Sequence, residues 1–267
     1  IFIYNSDFSF GRFIKSNFSL NNFKISSCAN TKTLFDQEYS IFRFTNHEYD
    51  NSTFSTIVRT KGTLNSTSSF ENIIFRKVIG ASTFFDFSNS HVTFQNLTVK
   101  DLFLPQYCNF FKGKNTDTSI ESSLFSSIFS TDQSSFVISV KDNFLNITAT
   151  TVKSIETQFL MVFSGTWEVK NCEFKKCQNF IENDQYSMTI IDCSNFEKGL
   201  IENCHFKKCK VNCGSINCYQ GQNLTIQNST FSECLGIRSS LITATNSSIQ
   251  LTNVNFSKSF NCFPTGA

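Results

Sequence analysis

The chain has 267 residues, a formal net charge of +2 and an apolar content of 40%, so it is long enough to bury a sizeable core. Its 23 basic and 21 acidic residues are spread along the sequence, which predicts no nucleic-acid partner and no charge-driven attachment to a membrane. No apolar run approaches the ~20 residues of a membrane span, and 33 Phe among many Ser, Asn and Thr predict an all-β chain.

Ten short segments recur along the chain, and the clearest of them follow the pattern N-x-x-F-x-x-C. From the N-terminus, their central apolar positions are 25, 54, 75, 99, 125, 149, 174, 206, 231 and 256. The best copies are "NCEFKKC" at Asn171, "NCHFKKC" at Asn203 and "NSTFSEC" at Asn228. The last two intervals are 25 residues each, which indicates a solenoid whose repeats bury apolar surface against their neighbours.

Each period contains short apolar segments separated by polar turns. In "SSLITATNSSIQLTNVNFSKS" three such segments are broken by Asn and Ser, which is typical of three short strands in one rung of a β-helix. We expect residues 1–267 to be a single β-helix domain and a fragment of a longer chain. Residues 1–70 should be less regular, and residues 170–260 should hold the best-defined repeats.

The segments "SSLITATNSSIQLTNVNFSKS" and "GQNLTIQNSTFSEC" resemble the F-x-x-N type repeats of polymorphic outer membrane proteins and their relatives among protozoan surface proteins. This resemblance implies a right-handed parallel β-helix, pectin-lyase-like, of about ten rungs. A BspA-like leucine-rich repeat solenoid is the alternative, because its A-F-x-x-C signature recurs at a similar period. Those repeats also need Pro and regular Leu, whereas this chain has 2 Pro.

The Asn residues that open the repeats are predicted to form an inward ladder, in which side-chain amides of successive rungs bond to one another. Its members are Asn72, Asn171, Asn203, Asn228 and Asn253, with Asn22, Asn51, Asn96 and Asn146 at weaker copies. The aligned Phe side chains are predicted to stack in the core. Because an inward Asn cannot carry a glycan, we expect N-glycans at the turn sequons Asn17, Asn65, Asn223, Asn246 and Asn255.

The 11 Cys are concentrated between Cys172 and Cys234 and include no C-x-x-C pair, so we predict no metal site and no cofactor. Equivalent positions in the two heptads instead predict disulfides, Cys172 with Cys204 first and Cys177 with Cys209 second, in an oxidising compartment. A column of buried free thiols is the alternative. Three cysteines outside the repeat register are assigned no partner, namely Cys193, Cys213 and Cys218.

Lysine pairs follow the Phe of both heptads, at Lys175-Lys176 and Lys207-Lys208. Four acidic residues lie near them in the sequence: Glu168, Glu173, Glu197 and Glu202. This pattern predicts a solvated face of mixed charge with no binding role.

The acidic residues form no D-D or D-x-D cluster and the three His fall in unrelated registers, so no catalytic residues are predicted. Asp184 and Asp192 in particular are expected to be dispensable. We therefore expect a non-catalytic, structural or adhesive ectodomain of an extracellular or cell-surface glycoprotein, a rigid rod that binds other surface proteins or glycans. Any membrane anchor would lie outside this segment. The alternative is a polysaccharide-degrading lyase or hydrolase.

Overall fold

A computed structural model of the chain describes residues 2–4, 8–60, 66–130, 134–179, 189–211, 214–236 and 240–261. These residues contain strands and turns, and every pairing between their strands is parallel. Each strand pairs with strands about one period away in sequence. The predicted all-β parallel β-helix is therefore confirmed, and in the described residues no helix is long and apolar enough to cross a membrane.

The strands are short, and several of the longer ones continue around a corner of the solenoid. In chain order they are β1 Phe2–Tyr4, β2 Gly11–Ile14, β3 Asn17–Ser26, β4 Ala29–Glu38, β5 Ile41–Asp50, β6 Thr53–Thr60, β7 Ser66–Gly80, β8 Phe85–Ser88, β9 Ser90–Gln95, β10 Thr98–Leu104, β11 Asn109–Lys114, β12 Asp117–Glu121, β13 Leu124–Ser130, β14 Phe136–Thr148, β15 Thr151–Glu156, β16 Gln158–Lys170, β17 Glu173–Lys175, β18 Gln178–Asn179, β19 Ile191–Glu202, β20 His205–Lys207, β21 Lys210–Val211, β22 Ile216–Tyr219, β23 Asn223–Gln227, β24 Thr230–Ser232, β25 Leu235–Gly236, β26 Ile242–Thr245, β27 Ile249–Thr252, β28 Asn255–Ser257 and β29 Phe260–Asn261. The two-residue strands β18, β21, β25 and β29 form a small sheet of their own.

One turn of the solenoid shows how the chain is laid out. Residues 158–163 lie on what we call face 1, residues 166–170 on face 2 and Glu173–Lys175 on face 3. A residue with positive φ follows each segment: Ser164 after face 1, Asn171 after face 2 and Lys176 after face 3. The neighbouring turns repeat this arrangement, so that each face is a parallel sheet with outward and inward columns of side chains.

The Asn that opens each repeat is explained by the corner between faces 2 and 3. The column at this corner holds Asn22, Asn46, Asn72, Asn96, Ser122, Ala149, Asn171, Asn203, Asn228 and Asn253, with φ between 49° and 57°. Asn tolerates this left-handed conformation better than other residues with a side chain, because its short amide can bond locally. The pattern N-x-x-F therefore marks a corner followed by a strand.

The pairing register tests the predicted repeat positions directly. One inward column of face 3 contains Ile3, Ile25, Tyr49, Phe75, Val99, Phe125, Val152, Phe174, Phe206, Phe231 and Phe256. Eight of the ten predicted positions are right, but positions 54 and 149 are wrong. Asn51 lies at the corner that follows face 3, and Asn146 lies inside β14. Neither residue therefore marks the corner that precedes face 3.

The core contains a stack of aromatic rings, as predicted. Phe174, Phe206 and Phe231 are fully buried, and each ring lies 4.6 Å from the next with interplanar angles of 5° and 4°. The stack continues to Phe256 at 5.1 Å. Because every turn repeats the same inward position, one Phe covers the next, and the apolar surface of each turn is buried only when its neighbours are in place.

Candidate functional site

The cysteines of the two heptads occupy the corners of the solenoid. Cys204 follows Asn203, points inward, and its Sγ lies 3.3 Å from the carbonyl oxygen of Glu202. One turn further on, Ser229 holds the same position, donates to the Gln227 carbonyl at 2.8 Å and accepts the Cys204 N–H at 3.1 Å. A small buried side chain that bonds the carbonyl two residues back is therefore what the corner requires, and either Cys or Ser supplies it.

The predicted cysteine pairs are adjacent in register. The N–H of His205 donates to the Cys172 carbonyl and the N–H of Lys210 donates to the Cys177 carbonyl, so that Cys172 neighbours Cys204 and Cys177 neighbours Cys209. All four are buried free thiols in this structure, and the two disulfides stay predictions.

The contact between the two corner thiols, Cys172 and Cys204, shifts their pKa values in opposite directions. Hydrogen bonding with Cys172, together with burial, raises the pKa of the Cys204 thiol. Hydrogen bonding with Cys177 is the largest cause of a raised pKa at Cys209. The hydrogen bond with Cys204 lowers the pKa of Cys172. Because the thiolate is the form that reacts, Cys172 is the more reactive thiol of its pair.

Two of the three unassigned cysteines meet on face 1. Cys193 and Cys218 are paired in register, and their Sγ atoms are 2.9 Å apart. Burial raises the pKa of Cys193. Cys213 lies outside the described residues.

The predicted asparagine residues form hydrogen bonds along the corner, but on the outside of the solenoid. Nδ2 of Asn72 donates to Oδ1 of Asn46 at 3.0 Å, and Nδ2 of Asn203 donates to Oδ1 of Asn171 at 3.2 Å. Asn253 and Asn228 make the same contact at 3.1 Å. The expectation of an inward ladder is therefore corrected, because the left-handed corner turns the amides toward solvent.

The sequons predicted to carry glycans are exposed where the structure describes them. Asn17 and Asn223 lie on outward positions of face 2, and Asn246 and Asn255 are exposed as well. Asn65 lies outside the described residues. Exposure makes these sites accessible, and glycan attachment at them stays a prediction.

An outward column of face 1 places aromatic rings in solvent. Lys141, Phe163, Ser194 and Tyr219 follow one another in successive turns of this column. The side chains of Phe163 and Tyr219 are 39% and 44% exposed. Large aromatic side chains are more often buried in a core, so two of them in one outward column are unusual. Nζ of Lys141 lies 5.1 Å from the centre of the Phe163 ring, within the range of a cation–π contact.

Asp192 lies in the adjoining outward column, in the turn between the two rings. It shares β19 with Ser194, two residues away on the same side of the strand. Nδ2 of Asn217 donates to its Oδ1 at 3.1 Å. Burial raises the pKa of the Asp192 carboxyl, while hydrogen bonds from Gln158 and Asn217 act in the opposite direction. Asp192 is thus a carboxyl group with a perturbed pKa beside exposed rings, an arrangement that often marks a functional site.

We call Lys141, Phe163, Asp192, Asn217 and Tyr219 the aromatic–carboxylate patch. It combines flat apolar surfaces with hydrogen-bonding groups and one charge of each sign, which suits a ligand that has both apolar faces and hydroxyl groups. No group of three or more His, Cys, Asp or Glu that could hold a metal ion occurs among the described residues. The sequence pattern missed the patch because successive residues of the column Lys141, Phe163, Ser194 and Tyr219 are 22 to 31 residues apart and lie outside the heptad register.

The chain is similar to solved structures at low sequence identity. No protein-family model matches the chain, and no curated protein matches it. Among solved structures, the A-module of mannuronan C-5 epimerase AlgE4 from Azotobacter vinelandii is similar at 8% identity, covering 95% of this chain and 89% of that chain with a TM-score of 0.42. The catalytic domain of a GH87 α-1,3-glucanase is similar at 12% identity, covering 97% and 61% with a TM-score of 0.32.

A third similar structure is PfbA, a surface protein and adhesin of Streptococcus pneumoniae, at 9% identity, covering 95% of this chain and 90% of that chain with a TM-score of 0.23. The matched structures thus include both enzymes and an adhesin. The expectation that the chain is not an enzyme is contradicted by the epimerase and glucanase matches and is withdrawn.

Proposed function

We propose that this β-helix is a carbohydrate-binding ectodomain that holds a polysaccharide across face 1 at the aromatic–carboxylate patch. The observation that carries this proposal is Asp192, a carboxyl with a raised pKa in the turn between the exposed rings of Phe163 and Tyr219.

The spacing of the patch suits an extended sugar chain. Phe163 and Tyr219 are two turns apart, which corresponds to about 10 Å at the usual strand separation. Sugar rings present apolar C–H faces that pack on aromatic side chains, and their hydroxyl groups bond to carboxylates and amides. Asp192 and Asn217 supply those polar groups beside the rings.

A second candidate function is proton transfer on the bound polysaccharide, with Asp192 as the acid or base. The raised pKa of Asp192 favours this role because burial makes the carboxyl a better proton acceptor than an exposed one. A hydrolase would need a second carboxylate at a defined separation. The patch holds a single carboxylate, so lyase or epimerase chemistry suits it better than hydrolysis.

We also propose an extracellular or cell-surface location, with glycans at exposed sequons and other surface proteins or glycans as partners. The repeats support kinship with the polymorphic outer membrane protein-like group, since the Asn of N-x-x-F stands at a left-handed corner and its Phe in the core stack.

The test is affinity electrophoresis of the protein through gels that contain neutral or uronate polysaccharides, at a salt concentration that screens purely charge-driven binding. We expect at least one polymer to retard the wild-type protein. The double variant Phe163→Ala/Tyr219→Ala should bind it about tenfold more weakly or worse, because each ring loses its packing against the sugar.

A matched control is the double variant Phe129→Ala/Phe144→Ala, which removes two rings of similar exposure (46% and 45%) outside face 1. It should bind like the wild-type protein. Equal loss in both double variants, or no retardation by any polymer, contradicts the proposal.

For the second candidate, Asp192→Asn should abolish any change in polymer chain length or uronate composition while leaving retardation largely intact.

A further inference from the structure

The lysine pairs of the two heptads line up in space. Successive turns of face 3 place Arg76, Lys100, Ser126, Lys153, Lys175 and Lys207 in a single outward column. The corner beside that column carries Lys176 and Lys208 in neighbouring turns. We call Lys153, Lys175, Lys176, Lys207 and Lys208 the lysine block.

Three of the four acidic residues near these lysines in sequence lie away from face 3. Glu168 and Glu202 lie on face 2, and Glu197 lies at the bulge between faces 1 and 2. Glu173 is in the next outward column of face 3, and Glu233 pairs with Lys208 at 3.5 Å. Face 3 and its corner therefore carry charges of both signs, as expected, but Lys153, Lys175 and Lys207 follow one another in one column with no acidic residue between them.

Asp50 neighbours Arg76 in this column, and from Arg76 to Lys207 the column repeats one sign of charge. Elsewhere in the same fold the sign alternates. On face 1, an equivalent outward column reads Arg12, Asp36, Arg59, Asp86 and Lys112, and Nε of Arg59 lies 2.9 Å from Oδ1 of Asp36. On face 3, Lys153, Lys175 and Lys207 are direct neighbours, and within the described residues none of the three forms an ion pair. Like charges directly opposite each other destabilise a sheet, so this column has a cost that the fold avoids elsewhere.

We infer that the lysine block binds an anionic polysaccharide that runs along face 3, parallel to the solenoid axis. One cation per turn presents charges about 4.8 Å apart in single file. A uronate or sulfated polysaccharide also carries its charges in single file, at intervals of about one sugar. This site is separate from the patch on face 1 and does not depend on it.

Nucleic acid and membrane fit the same surface less well. A DNA strand carries one charge per ~3.4 Å and single strands bind by stacking bases on aromatic rings. Beside the lysines, the next outward column holds Thr151, Glu173, His205 and Thr230, and none of these is Phe, Tyr or Trp. An anionic membrane surface is usually bound with apolar side chains that enter it, whereas this column holds Thr, Glu and His beside Lys153, Lys175 and Lys207, and its nearest apolar member is Leu124, one turn before Thr151.

The test measures binding to heparin as the probe, by calorimetry at low and physiological salt. The variant is Lys153→Ser/Lys175→Ser/Lys207→Ser, since Ser126 and Ser232 show that the column accepts Ser. The control is Lys15→Ser/Lys112→Ser/Lys114→Ser, which removes the same charge from exposed sites off face 3. We expect the dissociation constant of the first variant to rise about tenfold or more and that of the control to change less than about threefold.

Three results would overturn the proposal: equal weakening in both variants, no binding of heparin by the wild-type protein, or tighter binding of oligo(dT) or phosphatidylserine vesicles than of heparin. The melting temperature supplies a second readout. Removing repulsion between neighbouring lysines should leave the first variant at least as stable as the control. A lower melting temperature than the control would show that the lysines serve the fold and not a ligand.

Discussion

Replacing Cys204 by Ser tests whether the heptad cysteines act as corner residues. Ser already fills the same position at Ser123 and Ser229, where its hydroxyl donates to the carbonyl two residues back at 2.8 Å. At position 204 it would meet the Glu202 carbonyl, which now lies 3.3 Å from Sγ. The gain of a hydroxyl hydrogen bond, about 1 kcal/mol, roughly offsets the greater cost of burying a hydroxyl.

The unfolding free energy of Cys204→Ser should therefore lie within about 1 kcal/mol of the wild-type value. If Cys172 and Cys204 formed a disulfide, Cys204→Ser would lower the unfolding free energy by much more. Closing a loop of 32 residues stabilises a protein by about 4 kcal/mol in the chain-entropy model, and Cys204→Ser would lose that amount.

Urea denaturation with and without dithiothreitol separates the two cases. We expect the midpoint of the wild-type protein to be the same under both conditions and the m-value of the variant to be unchanged. A loss of more than about 3 kcal/mol in the variant, matched by an equal loss when the wild-type protein is reduced, would refute the corner interpretation.

Three further changes probe the fold. Phe206→Ala should lower the unfolding free energy by about 3 to 5 kcal/mol, because it leaves a cavity between two stacked rings, and an unchanged urea midpoint would contradict the stack. Gly199→Ala should cost about 1 to 3 kcal/mol, since its Cβ would lie 2.6 Å from the Trp167 ring; a neutral effect would show that the ring can move. Burial lowers the pKa of His47 to about 4, so the unfolded chain takes up a proton below about pH 6.5 that the folded chain does not accept until about pH 4. The unfolding free energy should fall by up to about 3 kcal/mol across that window, less so in His47→Gln; an equally steep fall in both would place the pH dependence elsewhere.

The repeat pattern predicts the fold because it has a local physical cause. Asn171 and Asn203 stand at left-handed corners, and Phe174 and Phe206 stand three residues later in the core. The pattern fails where a residue other than Asn adopts the left-handed corner conformation, as Ala149 does. The corner before Tyr49 is Asn46, and it was missed because Tyr replaces Phe in the stack.

The functional surfaces are harder to predict from the sequence because they depend on register between turns. Asp192 stands alone in the sequence, and its relation to Phe163 and Tyr219 exists only after three turns are aligned. Lys175 and Glu202 illustrate the same limit for charge. They are both near the heptads in sequence, yet they lie on different faces of the solenoid.

The most direct test of the face 1 proposal is a crystal structure of the protein with an oligosaccharide of the polymer that retards it in the gel. The account predicts a sugar ring packed on Phe163 or Tyr219, with a hydroxyl or carboxyl group of the ligand within hydrogen-bond distance of Asp192. An oligosaccharide bound on face 2, or only on face 3, with the aromatic–carboxylate patch free, would contradict it.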